Sequence, residues 1–112
     1  MKFKYEQKSH EFWSLKPKLR LILCDLEYFC LNEFGKELII TELLRKPRSD
    51  NDVHPYGRGA DIRSWIFDDK EKLDIIEYIN RKYPYGDGEH DSIIFHDVGK
   101  GEHFHIQVIY KS

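Results

Sequence analysis

Apolar residues recur along the chain with two different periods, and these periods divide it into elements. Leu19, Ile22, Leu23, Leu26, Phe29 and Cys30 follow helical spacing, so residues 14–34 are predicted as a first helix. Ser14 or a neighbour can cap it, and Pro17 is tolerated in a first turn, where its missing N–H costs nothing. Gly35 stands where such a helix would end. Residues 37–43 contain the run Leu38-Ile39-Ile40-Thr41 and read as a buried strand. Residues 45–56 are then polar and rich in turn formers, including Pro47, Ser49, Asp50, Asn51, Asp52 and Pro55. That is a long loop, of the kind that often carries function in a small domain.

Residues 57–65 are predicted as a second strand, entered through Gly57 and Gly59. Asp68 or Asp69 opens a second helix running to about Lys82, with Leu73, Ile76 and Ile79 or Asn80 as its inner stripe and Pro84 just beyond its end. Residues 92–98 and 102–110 then form two strands around Gly99-Lys100-Gly101, a hairpin signal. Alternation in the last strand puts Phe104, Ile106, Val108 and Tyr110 on one face and His103, His105, Gln107 and Ile109 on the other. His96 is expected opposite His103. With no repeat, low-complexity tract or linker, residues 1–112 read as one α+β domain with a small, mainly antiparallel sheet and two or three helices.

Composition narrows the classes. The 112 residues include 14% aromatic positions, which argues against intrinsic disorder. Lys and Arg number 18 against 20 Asp and Glu, so the basic excess of a general nucleic-acid binder is missing. The most apolar stretch, residues 19–34, is interrupted by Arg20, Asp25, Glu27 and Glu33. A bilayer span needs about 20 apolar residues, so no membrane helix is expected. The first ten residues have no apolar core or cleavage site of a secretory signal. Cys24 and Cys30 cannot build a disulfide framework or a four-thiolate zinc site, and are expected to be buried free thiols.

Six histidines in a small acidic chain are the feature to place. Two segments hold the informative ones: His54-Pro55-Tyr56-Gly57-Arg58-Gly59-Ala60-Asp61 and Glu102-His103-Phe104-His105. Two imidazoles and one carboxylate leave a fourth tetrahedral position open, the arrangement of a catalytic zinc. A nearby carboxylate is then wanted to take a proton from the attacking water. Glu102 lies three residues before His105, so on a regular strand the two side chains point to opposite faces. A bend or bulge near Gly101 is needed for Glu102 to reach the site. His10 and His90 have no partner in the pattern and read as solvated surface residues.

His54-x-x-Gly57-x-Gly59-x-Asp61-Ile62 followed by Glu102-x-x-His105 resembles the zinc D-Ala-D-Ala carboxypeptidase and L-alanyl-D-glutamate endopeptidase family. These peptidoglycan-cleaving enzymes belong to the group that includes lysostaphin-type enzymes and the hedgehog signalling domain. Residues 38–45 fit the family's strand-to-Arg segment, and the resemblance covers roughly residues 38–110. It implies His54, Asp61 and His105 as ligands of one Zn²⁺ and Glu102 as catalytic base. It implies Arg45 as the cation that binds substrate carboxylate or polarises the scissile carbonyl, with Arg48 as the alternative. Tyr56 is a further substrate-binding candidate, and His103 is expected to support the site from outside the ligand set. The pattern departs from the family at Asp52, where Ser is usual, and at Gly59, where Ala is usual. The loop between Arg45 and His54 also lacks a frequent Gln.

The resemblance thus implies a zinc peptidase acting on peptidoglycan stem peptides, expected to be a monomer made in the cytoplasm and released to the wall by a phage lysis system. The alternative is a non-catalytic metal-binding structural or interaction module on the same scaffold, such as a phage particle component. A metal-dependent nuclease fits the His-rich hairpin but not the charge balance.

Overall fold

The computed structural model describes residues 1–97 and 101–110. Strand β1 (Lys2–Phe3) leads through a 3₁₀ segment (Glu6–Ser14) to helix α1 (Pro17–Phe34). Strand β2 (Ile39–Glu42), a 3₁₀ turn (His54–Tyr56) and strand β3 (Gly59–Arg63) come next. Helix α2 (Asp69–Lys82) and strands β4 (Ile93–Asp97) and β5 (Glu102–Gln107) complete the order. The strands form one sheet in the order β1-β2-β3-β5-β4. Among the described residues only β1 and β2 run parallel; the remaining pairs are antiparallel. This is the α+β architecture the periodicity predicts. The turn between β4 and β5 falls largely outside the described residues, at 98–100. Among the described residues no helix is long and apolar enough to cross a membrane.

One face of the sheet carries the core. Leu19, Ile22, Leu23, Leu26 and Cys30 from α1 and Ile75 and Ile79 from α2 are buried with Ile40, Ala60, Ile62, Ile93, Phe104 and Ile106 from the strands. Helix α1 starts at Pro17 rather than Ser14, because residues 6–14 wind as a 3₁₀ segment that the apolar pattern does not reveal. Gly35 ends it in the left-handed conformation, with φ of 65°. The thiols divide: Cys24 is exposed, contrary to expectation, and burial pushes Cys30 up to about 12.

Helix α2 corrects the predicted stripe. Ile75 and Ile79, one turn apart, face the core, Ile76 packs at its edge, and Leu73 is 68% exposed. Two anchors fix this rotation. At the start, the Asp68 carboxylate accepts from Glu71 N–H at 2.8 Å while Glu71 accepts from Asp68 N–H at 2.9 Å, a reciprocal cap. Near the end, Asn80 accepts from the N–H groups of Ser92 and Ile93 and donates to the Ile93 carbonyl, clamping the helix to the start of β4. Tyr110 is likewise exposed, because β5 ends at Gln107 before the alternation reaches it.

Candidate metal centre

Three neighbouring segments deliver the histidines and carboxylate of the sequence motif to one point. Val53 and Gly57 bracket the 3₁₀ turn that sends His54 inward to complete burial. Gly57 takes a left-handed φ of 68°, and a Cβ there would lie 2.9 Å from the Ser14 carbonyl, so only glycine fits comfortably. Asp61 is the central residue of β3, and β5 is registered so that His105 stands directly opposite it. Gly59 keeps the floor open, since a Cβ there would lie 2.5 Å from Val53 Cγ2 and 3.4 Å from both imidazoles. As a result His54, Asp61 and His105 each present a ligand atom within 4.8 Å of the others.

The hydrogen bonds behind these rings determine which nitrogens face inward. His54 Nδ1 lies 2.6 Å from the Leu43 carbonyl, which can only accept, so Nδ1 carries the proton. Its unprotonated Nε2 then faces Asp61 Oδ1 at 3.2 Å. On the other side, the Gln107 amide nitrogen donates to the Asp91 carbonyl at 3.0 Å, which turns Gln107 Oε1 toward His105 Nε2 at 3.3 Å. His105 therefore donates through Nε2 and presents Nδ1 to the same Asp61 oxygen at 2.9 Å. With both rings neutral, two imidazole lone pairs and a carboxylate oxygen converge. Such an arrangement suits a cation between them, and protonation of the rings would also relieve it. In the protonated case, burial pushes the Asp61 carboxyl up, but hydrogen bonds from the charged His105 and His54 rings outweigh it and hold it well below the usual carboxylate range. The outer partners Gln107, Leu43 and Asp91 were not singled out from the sequence. For Gln107 the signal was there, since strand alternation already placed it on the face of His105.

The cluster opens into a cleft of about 1000 Å³. The structure distributes the remaining predicted residues unequally around it. His103 is on the cluster's face, with Nε2 3.8 Å from Asp61 Oδ2, and His96 is its cross-strand partner as expected. Glu102 is not brought to the cluster. Strand β5 keeps a regular register from Glu102 to Gln107 with no bulge, so Glu102 lines the cleft only at its α2 side, 3.6 Å from Lys72 Nζ, and not on the face of His105. Arg45 lines the cleft but its guanidinium is paired with Asp52, which also accepts from the backbone N–H groups of Arg48 at 3.0 Å and His54 at 3.1 Å. Asp52, the departure from the family pattern, thus ties the loop that delivers His54. Burial raises its carboxyl, and the N–H groups and Arg45 more than reverse this. Arg48 lines the cleft with no side-chain partner among the described residues. Tyr56 lies outside the cleft, 64% exposed beneath the Arg58 guanidinium, because the turn that points His54 inward carries a residue two positions later outward.

Asp87, Glu89 and His90 form a second group with ligand atoms within 4.8 Å, so His90 does have a partner. All three are exposed, and Asp87 is occupied by the N–H groups of Glu89 and His90 in its own turn. Compared with known protein families and with curated proteins, the chain matches none.

Proposed function

We propose that this chain is a zinc-dependent peptidase that hydrolyses an amide bond in peptidoglycan stem peptides, with His54, Asp61 and His105 as the metal ligands. The observation that carries this reading is the tautomer lock. Outer hydrogen bonds to Leu43 and Gln107 turn both imidazole lone pairs onto one carboxylate oxygen, as metal-binding histidines require. Two nitrogens and one oxygen suit zinc, and three protein ligands leave a coordination position free. Zinc held there supplies Lewis acidity that activates water and polarises a carbonyl. The chain's own contribution is a preorganised ligand set, a cleft large enough for a short peptide, and a group to take the proton. The sequence motif gives that proton to Glu102, which lines the cleft but must leave Lys72 and turn toward the cluster to receive it. His103 already faces the cluster.

The test is mass spectrometry of purified muropeptides incubated with the zinc-loaded protein, alongside Glu102→Ala, His103→Ala and His105→Ala variants whose zinc content is measured. Cleavage lost in His105→Ala together with zinc supports the peptidase reading. Cleavage lost with zinc retained in Glu102→Ala assigns the proton to Glu102 and implies that β5 rearranges at Gly101. The same result in His103→Ala assigns it to His103.

The position of Glu102 favours one second reading, a non-catalytic metal-binding module in which the cluster holds an inert ion. Zinc bound stoichiometrically without cleavage of any muropeptide by the wild-type chain selects that reading.

A further inference from the structure

The cations of the cleft are not equivalent, and the difference identifies a binding group outside the sequence motif. Arg45 is spent on Asp52. Of the other acidic side chains of the cleft, Asp61 belongs to the histidine cluster, while Glu42 is paired with Lys8 at 3.1 Å and Glu102 with Lys72 at 3.6 Å. That leaves Lys4, Arg48 and Arg63 lining the cleft without an ion-pair partner among the described residues. Of these, only Arg63 stands on a strand beside the cluster. It is the last residue of β3, two positions beyond Asp61 and therefore on the same face, about 7 Å along the strand. Its cross-strand neighbour is His103. Its guanidinium lies 4.8 Å from the ring centre of Trp65, which is 68% exposed and also lines the cleft. An aromatic ring against one face of a guanidinium limits its freedom and leaves its edge donors for an oxygen pair.

We infer that Arg63, seated on Trp65, receives a carboxylate of the bound peptide. The inference rests on the proposed peptide substrate but not on zinc or turnover. The carboxylate is either the peptide's own terminus or an acidic side chain. A planar fork of donors matches either one bidentately, and a charge-assisted pair of this kind is stronger than a neutral hydrogen bond.

The experiment is an NMR titration of the zinc-free full chain, where no cleavage competes, with three probes. These are N-acetyl-D-Ala-D-Ala, its C-terminal amide, and the α-amide of N-acetyl-D-glutamate, which keeps only a side-chain carboxylate. The wild-type chain is expected to bind at least one acid probe about tenfold more tightly than the amide, the size of effect one charge-assisted contact provides. Whichever acid probe shows the preference identifies the carboxylate source. Arg63→Ala should bring that probe down to the amide's affinity, Arg63→Lys should restore part of the preference, and Arg48→Ala should keep it. A preference retained in Arg63→Ala overturns the inference, as does a wild-type chain that never prefers an acid. Unchanged thermal unfolding of Arg63→Ala separates lost binding from lost fold. If zinc is not held by His54, Asp61 and His105 in a separate titration, the peptidase reading fails while the Arg63 result stands.

Discussion

Ala60, Ile62, Phe104 and Ile106 point from β3 and β5 into the core, whereas Asp61, His103, His105 and Gln107 point from the same strands into the cleft. The first set is held by burial alone and needs only shape. The second set consists of polar groups with little access to water, so each must find a partner or carry an energetic penalty. The Leu43 carbonyl and the Gln107 amide meet that demand from behind the rings, which leaves the inward lone pairs for something else. The same pleat therefore separates stability from chemistry at a distance of one residue. A one-residue slip of β5 would turn Phe104 and Ile106 into the cleft and His103, His105 and Gln107 into the core.

This division can be broken from either side, beginning with the core. Phe104→Ala removes a fully buried ring and should cost about 3–5 kcal/mol in urea unfolding. His105→Ala, its immediate neighbour, should leave the stability of the zinc-free chain within about 1 kcal/mol of wild type. It should instead abolish the stabilisation expected from zinc at the proposed site, about 2.7 kcal/mol for the wild-type chain at a hundredfold excess over Kd. Equal loss of zinc stabilisation in the folded fraction of Phe104→Ala would show that the two faces are not separable.

The loop carrying His54 offers a finer test. Asp52→Asn weakens the contacts to Arg45, Arg48 N–H and His54 N–H, and should cost about 1.5–3 kcal/mol at neutral pH. Folding depresses the Asp52 carboxyl below its ordinary value, so its contribution is complete above that value, near 3.9, and is lost as pH falls through the folded one. The wild-type and Asp52→Asn stabilities should therefore converge on acidification, as read from denaturant unfolding at a series of pH values. The smallest effect is expected from Gly59→Ala, which restores the residue usual in the resembling family. Its Cβ meets the stiff Val53 side chain, and a cost of about 1 kcal/mol with weakened zinc binding should follow. A stabilising Gly59→Ala would mean that the floor of the cluster is looser than these distances show.

Most elements were legible in the sequence because their signals are local. Helical spacing marked α1, the β-branched run marked β2, and alternation in β5 separated Phe104 and Ile106 from His103, His105 and Gln107. The short β1 and the 3₁₀ segment at residues 6–14 carry no comparable pattern, since their conformation depends on pairing with β2 and on contacts with distant segments. The stripe of α2 is ambiguous in the sequence for a related reason. Leu73, Ile75, Ile76 and Ile79 permit more than one apolar face, and the Asp68 cap and Asn80 clamp choose between them.

The sequence alone determined an α+β chain and the residue types and spacing that bring His54, Asp61 and His105 into one proposed ligand set, because periodicity and motif spacing are properties of the chain itself. Only the tertiary structure decided what the charged residues around that set are free to do. Arg45 is tied to Asp52, Glu102 leans away to Lys72, Tyr56 turns outward, and Arg63 is left open beside the cluster. A side chain's charge is written in its identity, but its availability depends on which neighbour reaches it first, and that neighbour is far away in sequence.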